Sequence, residues 1–328
     1  MTMKKKAMIL LGSTFLLFSA FSCGGSSKAG STNNAESVGV VNVPQFDADS
    51  AYLYVKSQVD FGPRVPNSKE HVACGNYLAK QLETFGAKVT NQYADLIAYD
   101  GTLLKARNII GSYNPENKKR IALFAHWDTR PWADNDPDEN NHHTPILGAN
   151  DGASGVGALL EIARLINQQQ PELGIDIIFL DAEDYGASGG KEESWCLGAQ
   201  YWARNPHVEK YNARFGILLD MVGGENTMFL KESNSERYAP DINKKVWKAA
   251  KKLGYGKMFI DENGGAVTDD HLFINELARI KTIDIIASDP EGGFTPTWHT
   301  INDNMDHIDK NTLKAVGQTV LEVIYNEK

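Results

Sequence analysis

The sequence predicts an α/β fold: a three-layer sandwich with a mostly parallel, twisted central sheet and helices on both faces. Two observations carry that reading. Apolar, strand-like runs alternate with amphipathic helical segments along most of the chain. Four of those runs end in residues that bind metal or move protons, and in open α/β sheets the ligand crevice lies outside the carboxyl ends of the strands.

Taken in order, Ser68 to Phe85 carries apolar residues at helical spacing (Val72, Tyr77, Leu78, Leu82, Phe85), with Gly86 as a natural stop. Val89–Leu96 and Ala106–Ile110 read as strands. The next strand, Ile121–Ala125, runs into His126 and Asp128, and a long loop follows from Trp127 to Gly148. Ala153–Gln168 is a strong amphipathic helix, with Val156, Leu159, Leu160, Ile162, Ala163, Leu165 and Ile166 as its apolar residues. Strand Ile175–Leu180 runs into Asp181, Glu183 and Asp184. A short helix near Ala199–Arg204 precedes strand Phe215–Asp220, and a helix spans Asn243 to Leu253. Strand Thr282–Ala287 leads through a turn-rich loop to Trp298 and His299, and helix Thr312–Ile324 closes the chain. No internal repeat or second domain interrupts this alternation.

The 328 residues are 42% hydrophobic. Without a leader, roughly 290–300 residues remain, enough for one large α/β domain with a sizeable core. The formal net charge is −9, and the leader holds Lys4, Lys5 and Lys6 without acids, so the remainder sits at −9 − 3 = −12. That balance excludes nucleic acid or anionic lipid as the main partner, since phosphate binding needs clustered Lys and Arg.

The N-terminus reads as a targeting segment. A basic Lys4–Lys6 stretch precedes an apolar run from Ala7 to Ser22, too short and too rich in small residues for a membrane span. Cys23, directly after small residues, resembles a bacterial lipobox, where it would be lipidated and become the new N-terminus; a plain cleaved export signal is the alternative, since Ala20 and Phe21 depart from the commoner pattern. Residues 1–23 are therefore expected to be a lipoprotein signal, 24–42 a flexible tether and 43–328 one catalytic domain. An exported, lipid-anchored envelope protein follows, facing either the periplasm or the exterior. Cys74 and Cys196 remain, expected as two buried free thiols; neither lies in a Cys-x-x-Cys, which argues against a thiolate zinc site.

Three local signals fail on inspection. Asp134, Asp136 and Asp138 mimic the opening of a calcium loop, but Glu139 stands where Gly is required and Pro145 at the twelfth position, so the stretch reads as a solvated acidic loop. Gly186-Ala-Ser188-Gly-Gly190 matches the nucleophile-elbow pattern without the strand and helix that must flank it, so Ser188 is rejected as a nucleophile. His142 and His143 have no third ligand nearby and read as a hydrated loop pair.

A catalytic zinc takes three protein ligands and leaves a position for water or substrate. The best trio is Asp151, at the mouth of the 153–168 helix, Asp184, after the 175–180 strand, and His299. Glu183 and Asp184 are adjacent, so their side chains diverge; one can ligate while the other shuttles a proton. An acid alone at a strand end often caps a helix, but five acids and two histidines at one edge do not arise by coincidence.

In order along the chain come Phe61-Gly-Pro-Arg64, Ala125-His-Trp-Asp128, Asn150-Asp-Gly, Asp181-Ala-Glu-Asp184, Leu219-Asp220, Asp269-Asp-His271 and Trp298-His-Thr with Asp303-Asn. This ordered set resembles the zinc aminopeptidase-like superfamily, and within it the glutaminyl cyclases (glutaminyl-peptide cyclotransferases), in their bacterial lipoprotein branch. The resemblance covers Phe61 to the C-terminus. It implies one zinc, held by Asp151, Asp184 and His299. It further implies Glu183 as proton shuttle, Asp269 holding the reacting amide, Asp220 orienting the α-amine or Asp269, and Phe294 and Trp298 as an aromatic wall. Trp195 is the nearest candidate for a further active-site tryptophan. The implied substrates are peptides or proteins with N-terminal glutamine, converted to pyroglutamate with release of ammonia.

The alternative within the same resemblance is a two-zinc metalloaminopeptidase, whose ligand positions are filled here by His126, Asp151, Glu183-Asp184, Asp220 and His299. Asp269, where the peptidases commonly have Ser, and the aromatic wall favour the cyclase. Two departures stand out: Asp184 replaces the Glu of animal cyclases, and Asp284 replaces their His. A non-catalytic peptide-binding lipoprotein is a third reading, weakened because no ligand or base position is missing.

Overall fold

A computed structural model describes residues 41–288 and 293–328. The expected signal segment with Cys23, and the tether as far as residue 40, lie outside the described residues. Among the described residues, eight helices and eight strands follow one another: α1 (Ala48–Val59), α2 (Lys69–Thr84), β1 (Lys88–Ile97), β2 (Leu103–Tyr113), β3 (Arg120–His126), α3 (Ala153–Gln168), β4 (Gly174–Leu180) and α4 (Leu197–Arg204). The second half adds β5 (Gly216–Asp220), β6 (Met228–Lys231), α5 (Ser233–Tyr238), α6 (Pro240–Lys252), β7 (Phe259–Asn263), α7 (Asp270–Phe273), β8 (Thr282–Ser288) and α8 (Lys310–Asn326).

One eight-stranded sheet carries the order β1-β2-β4-β3-β5-β8-β6-β7. Its centre, β4-β3-β5-β8, is parallel throughout. The antiparallel pairings lie outside that block, at β1-β2, β2-β4 and β8-β6, so the sheet is mixed rather than purely parallel. Period-two side-chain alternation separates the two faces. Ile121, Leu123 and Ala125 of β3 pack into one core with α1, α3 and α8, whereas Ala122 and Phe124 pack into another against Trp202 of α4. Every residue of β3, β4 and β5 is buried, as strands covered by helices on both faces must be. Fully burying a side chain the size of Phe124 contributes about 1.5–3 kcal/mol.

The sequence pattern misses α1, α5, α7, β6 and β7. In β7 only Phe259 is buried, and its polar end reads as loop without its partner strand. The N-caps, by contrast, are local: Asp47 accepts the Asp49 and Ser50 N–H groups, and Ser68 accepts that of His71. Two glycines fit α3 tightly over the ends of β3 and β5. Gly152, at φ +94°, would bring a Cβ to 2.7 Å from the Asp128 carbonyl oxygen, and a Cβ on Gly155 would lie 2.1 Å from that of Leu219. Cys74 and Cys196 are both buried free thiols. No helix among the described residues is long and apolar enough to cross a membrane.

Candidate metal centre and active site

The carboxyl ends of the parallel strands deliver the site. His126 ends β3, Asp220 ends β5, and Glu183 and Asp184 follow β4 within one turn. Asp151 precedes α3, Asp269 caps α7, and Phe294, Trp298 and His299 lie in the segment after β8. Glu183, Asp220, Asp269, Phe294, Trp298, Trp195, Asp151, Asp184 and His299 all line one cavity of about 260 Å³. Ala182, Met221 and His299 hold left-handed backbone at φ +52°, +48° and +53°. Such strain in non-glycine residues persists where the surroundings over-determine it, commonly at active sites.

The candidate ligand atoms of Asp151, Asp184 and His299 lie within 4.8 Å of one another. Nε2 of His299 is 3.1 Å from Asp184 Oδ1 and 3.6 Å from Asp151 Oδ2. A second group, His126, Asp151 and Asp220, shares Asp151; here Nε2 of His126 is 3.0 Å from Asp151 Oδ1 and 3.3 Å from Asp220 Oδ1. The first trio suits zinc in donor chemistry, two carboxylates and an imidazole. Oδ2 of Asp184 is buried without a hydrogen-bond partner, which fits a cation held by this trio.

Supporting contacts hold the trio. Asp303 accepts the backbone N–H groups of Asn150 (2.7 Å) and Asp151 (3.0 Å). Asp128 accepts those of Glu183 (3.1 Å) and Asp184 (3.2 Å), tying the end of β3 to the turn after β4. Asp134 faces Nδ1 of His299 at 3.3 Å and pairs with Arg130, whose guanidinium also donates to the Asp184 and Gly186 carbonyls. Trp298 stacks on the His299 ring at 3.9 Å between centroids and touches Phe294 at 4.4 Å. Trp195 lies parallel to the His299 ring at 6.2 Å, with Arg130 over its own face.

Crowded buried acids shift one another. Burial raises Glu183 well above the ordinary carboxylate range; His126 opposes it, and the charges of Asp184 and Asp269 add to it. Burial likewise pushes Asp220 up to about 7. His299 rises to about 9: burial lowers it, but the charge of Asp184 and the hydrogen bond to Asp134 outweigh that. Protein ligands bind a metal in their deprotonated forms, so a cation at this trio competes with the proton on His299.

One sequence expectation needs correcting. The acidic loop is not simply solvated: Asp134 orients His299, and Asp136 is buried, accepting the N–H of Ile301 and the side-chain amide of Asn141. Asp220 faces Nε2 of His126 at 3.3 Å and also feels the charge of Asp269. Ser188 is exposed in a turn away from any strand, and His142 bonds the Asp136 carbonyl within its loop. Sequence reasoning also missed the roles of Arg130, Asp134 and Asp303. The Trp-His-Thr motif with Asp303 was visible in the chain, whereas nothing local tied Asp134 to His299.

A mixed α/β sheet with paired candidate metal groups at its carboxyl edge defines a zinc-aminopeptidase-like protein. The chain belongs to peptidase family M28, whose family model matches residues 108–324. Among solved structures it is similar to Bacteroides thetaiotaomicron glutaminyl cyclase, at 86% identity and a TM-score of 0.87, covering 88% of this chain and 100% of that one. Among curated proteins it is 28% identical to a Bacillus subtilis aminopeptidase over 67% of this chain, and 26% identical to bovine glutaminyl-peptide cyclotransferase over the same share. It spans 44% of the length of the first and 65% of the second.

Proposed function

We propose that this protein is a zinc-dependent glutaminyl-peptide cyclotransferase that converts N-terminal glutamine to pyroglutamate with release of ammonia. The observation that carries the reading is the meeting of Glu183 and Asp269, whose ligand atoms lie within 4.8 Å of each other in the cavity lined by the metal trio and walled by Trp195, Phe294 and Trp298. The aromatic wall and small volume suit one side chain. The similarity to a bacterial glutaminyl cyclase points the same way.

Asp151, Asp184 and His299 would hold one zinc, which supplies Lewis-acid polarisation of the glutamine side-chain carbonyl. Glu183 takes a proton from the α-amine as its nitrogen attacks the side-chain amide carbon. The carbon–nitrogen bond to the amide nitrogen then breaks, and Glu183 returns the proton to the departing ammonia. A raised pKa suits a group that must both accept and release a proton. Asp269 accepts a hydrogen bond from the amide nitrogen, and the aromatic wall excludes water from an attack that tethering already favours. Asp220, beside His126, orients the α-amine.

A two-metal aminopeptidase is the second reading, favoured by the His126, Asp151 and Asp220 group. Incubation with glutamine peptides and with leucine 4-nitroanilide separates the two. Ammonia release with one zinc per chain supports the cyclase; amine release with two zincs overturns it. For location we propose export and a lipid anchor at Cys23, on the strength of the basic and apolar leader. Metabolic labelling with a fatty acid, lost in Cys23→Ala, tests it.

A further inference from the structure

We propose that Cys196 is a positioning residue that aims the Glu183 carboxylate by gripping Glu183 at two points. The Cys196 sulfur lies 3.4 Å from Oε1 of Glu183. Its backbone N–H donates to the Glu183 carbonyl at 2.9 Å, and the next N–H, of Leu197, donates to the Ala182 carbonyl at 3.0 Å. The turn that presents the base is thus pinned to the start of α4. Of the other close side chains, Asp269 is an acid that repels the carboxylate, and His126 stands off, with Nδ1 3.9 Å from Oε2.

Cys196 itself adopts left-handed backbone, φ +57° and ψ +36°, a conformation a cysteine adopts at a cost. It occupies the N-cap of α4 yet makes no side-chain bond to that helix; the side chain turns to Glu183 instead. The residue is fully buried. Burial, then the charge of Glu183, raises the thiol well above its ordinary value, so the sulfur keeps its hydrogen and donates it. A long carboxylate side chain on a cavity wall has several rotamers available. One fixed donor on Oε1 selects among them and leaves Oε2 as the oxygen that exchanges protons.

The inference rests on Glu183 acting as the base of the cyclisation. Wild-type, Cys196→Ala and Cys196→Ser enzymes are compared for kcat and KM on a glutamine peptide, with zinc content and thermal unfolding measured on each. In Cys196→Ala we expect kcat to fall roughly fivefold to tenfold, the weight of one hydrogen bond, with KM and zinc content unchanged. Serine keeps a donor and should recover most of kcat although it packs less well. Infrared spectroscopy gives a second reading: the S–H band lost in Cys196→Ala should shift in Glu183→Gln. Unchanged kcat in Cys196→Ala, equal losses in both variants, or an S–H band indifferent to Glu183 would each overturn the proposal. A wild-type protein that releases no ammonia would instead overturn the cyclase reading on which it stands.

Discussion

Nδ1 of His299 lies 3.3 Å from Oδ1 of Asp134, which leaves Nε2 as the nitrogen facing Asp184 and Asp151. A carboxylate behind a metal-binding imidazole fixes its tautomer and raises its basicity. Arg130 completes the arrangement, holding Asp134 in place while its guanidinium donates to the carbonyl of Asp184. One cation thereby organises two of the three candidate ligands.

Removing that carboxylate should therefore weaken the metal without deleting a ligand. In Asp134→Ala we expect zinc affinity to fall about 10- to 100-fold, the usual weight of such a partner. Competition against a chromogenic chelator measures it. Asp134→Asn, which can still accept from Nδ1–H, should lose less. Equal affinity in all three proteins would remove Asp134 from the metal site.

The proton shuttle and the metal trio should separate cleanly. Glu183→Gln keeps the shape of the side chain and cannot take a proton, so turnover should drop by about 10²–10⁴ with zinc still bound. His299→Ala should lose both. If Glu183→Gln cyclised glutamine peptides at near the wild-type rate, another group would have to be the base.

How much of this was legible depended on where the partners lie. The parallel strands announce themselves because both their faces are covered, which makes runs such as Ile175–Leu180 continuously apolar. The 153–168 helix was readable to the residue because its apolar stripe and its glycine-rich start are local. β7 was not, because Asp261, Glu262 and Asn263 face solvent and pair only through a strand distant in sequence. Seven of the nine candidate site residues could be named because each lies in a short motif; Trp195 and Phe294 lie outside those motifs, and the fold brings all nine to one cavity. Asp134 could not, because an aspartate between Ala133 and Asn135 looks solvated until the His299 loop packs onto it. Cys196 reads as an ordinary buried thiol until the turn after β4 folds back against it.

Stability in acid should hinge on a pair away from the metal trio. Oε2 of Glu232 is 2.9 Å from His271 Nε2, and the carboxylate also accepts the N–H groups of Asn234, Ser235 and Val267. Burial raises its pKa, but the hydrogen bond and charge of His271, then the backbone donors, bring it down from 4.5 to about 2. A depressed carboxylate stabilises the fold above its unfolded pKa, and that contribution, about 3 kcal/mol for a shift of this size, is lost as pH falls from 4.5 towards 2. Urea unfolding of Glu232→Gln should show a large deficit at pH 6 that shrinks below pH 4. A deficit constant across that range would mean the residue acts by packing alone.

Chelation tests the same architecture from the opposite side. Without a cation, Asp151, Asp184 and Asp220 share a buried pocket in which like charges disfavour one another, so metal removal should cost stability as well as activity. A ligand present at a thousand times its Kd contributes about 4 kcal/mol, which for a domain of this size shifts Tm by roughly 7 °C. Titrating zinc back into the chelated protein should restore Tm and ammonia release together, both saturating at one equivalent. If Tm recovered at one equivalent and activity only at two, the His126, Asp151 and Asp220 group would be a second working metal site, and the single-zinc mechanism would have to be abandoned.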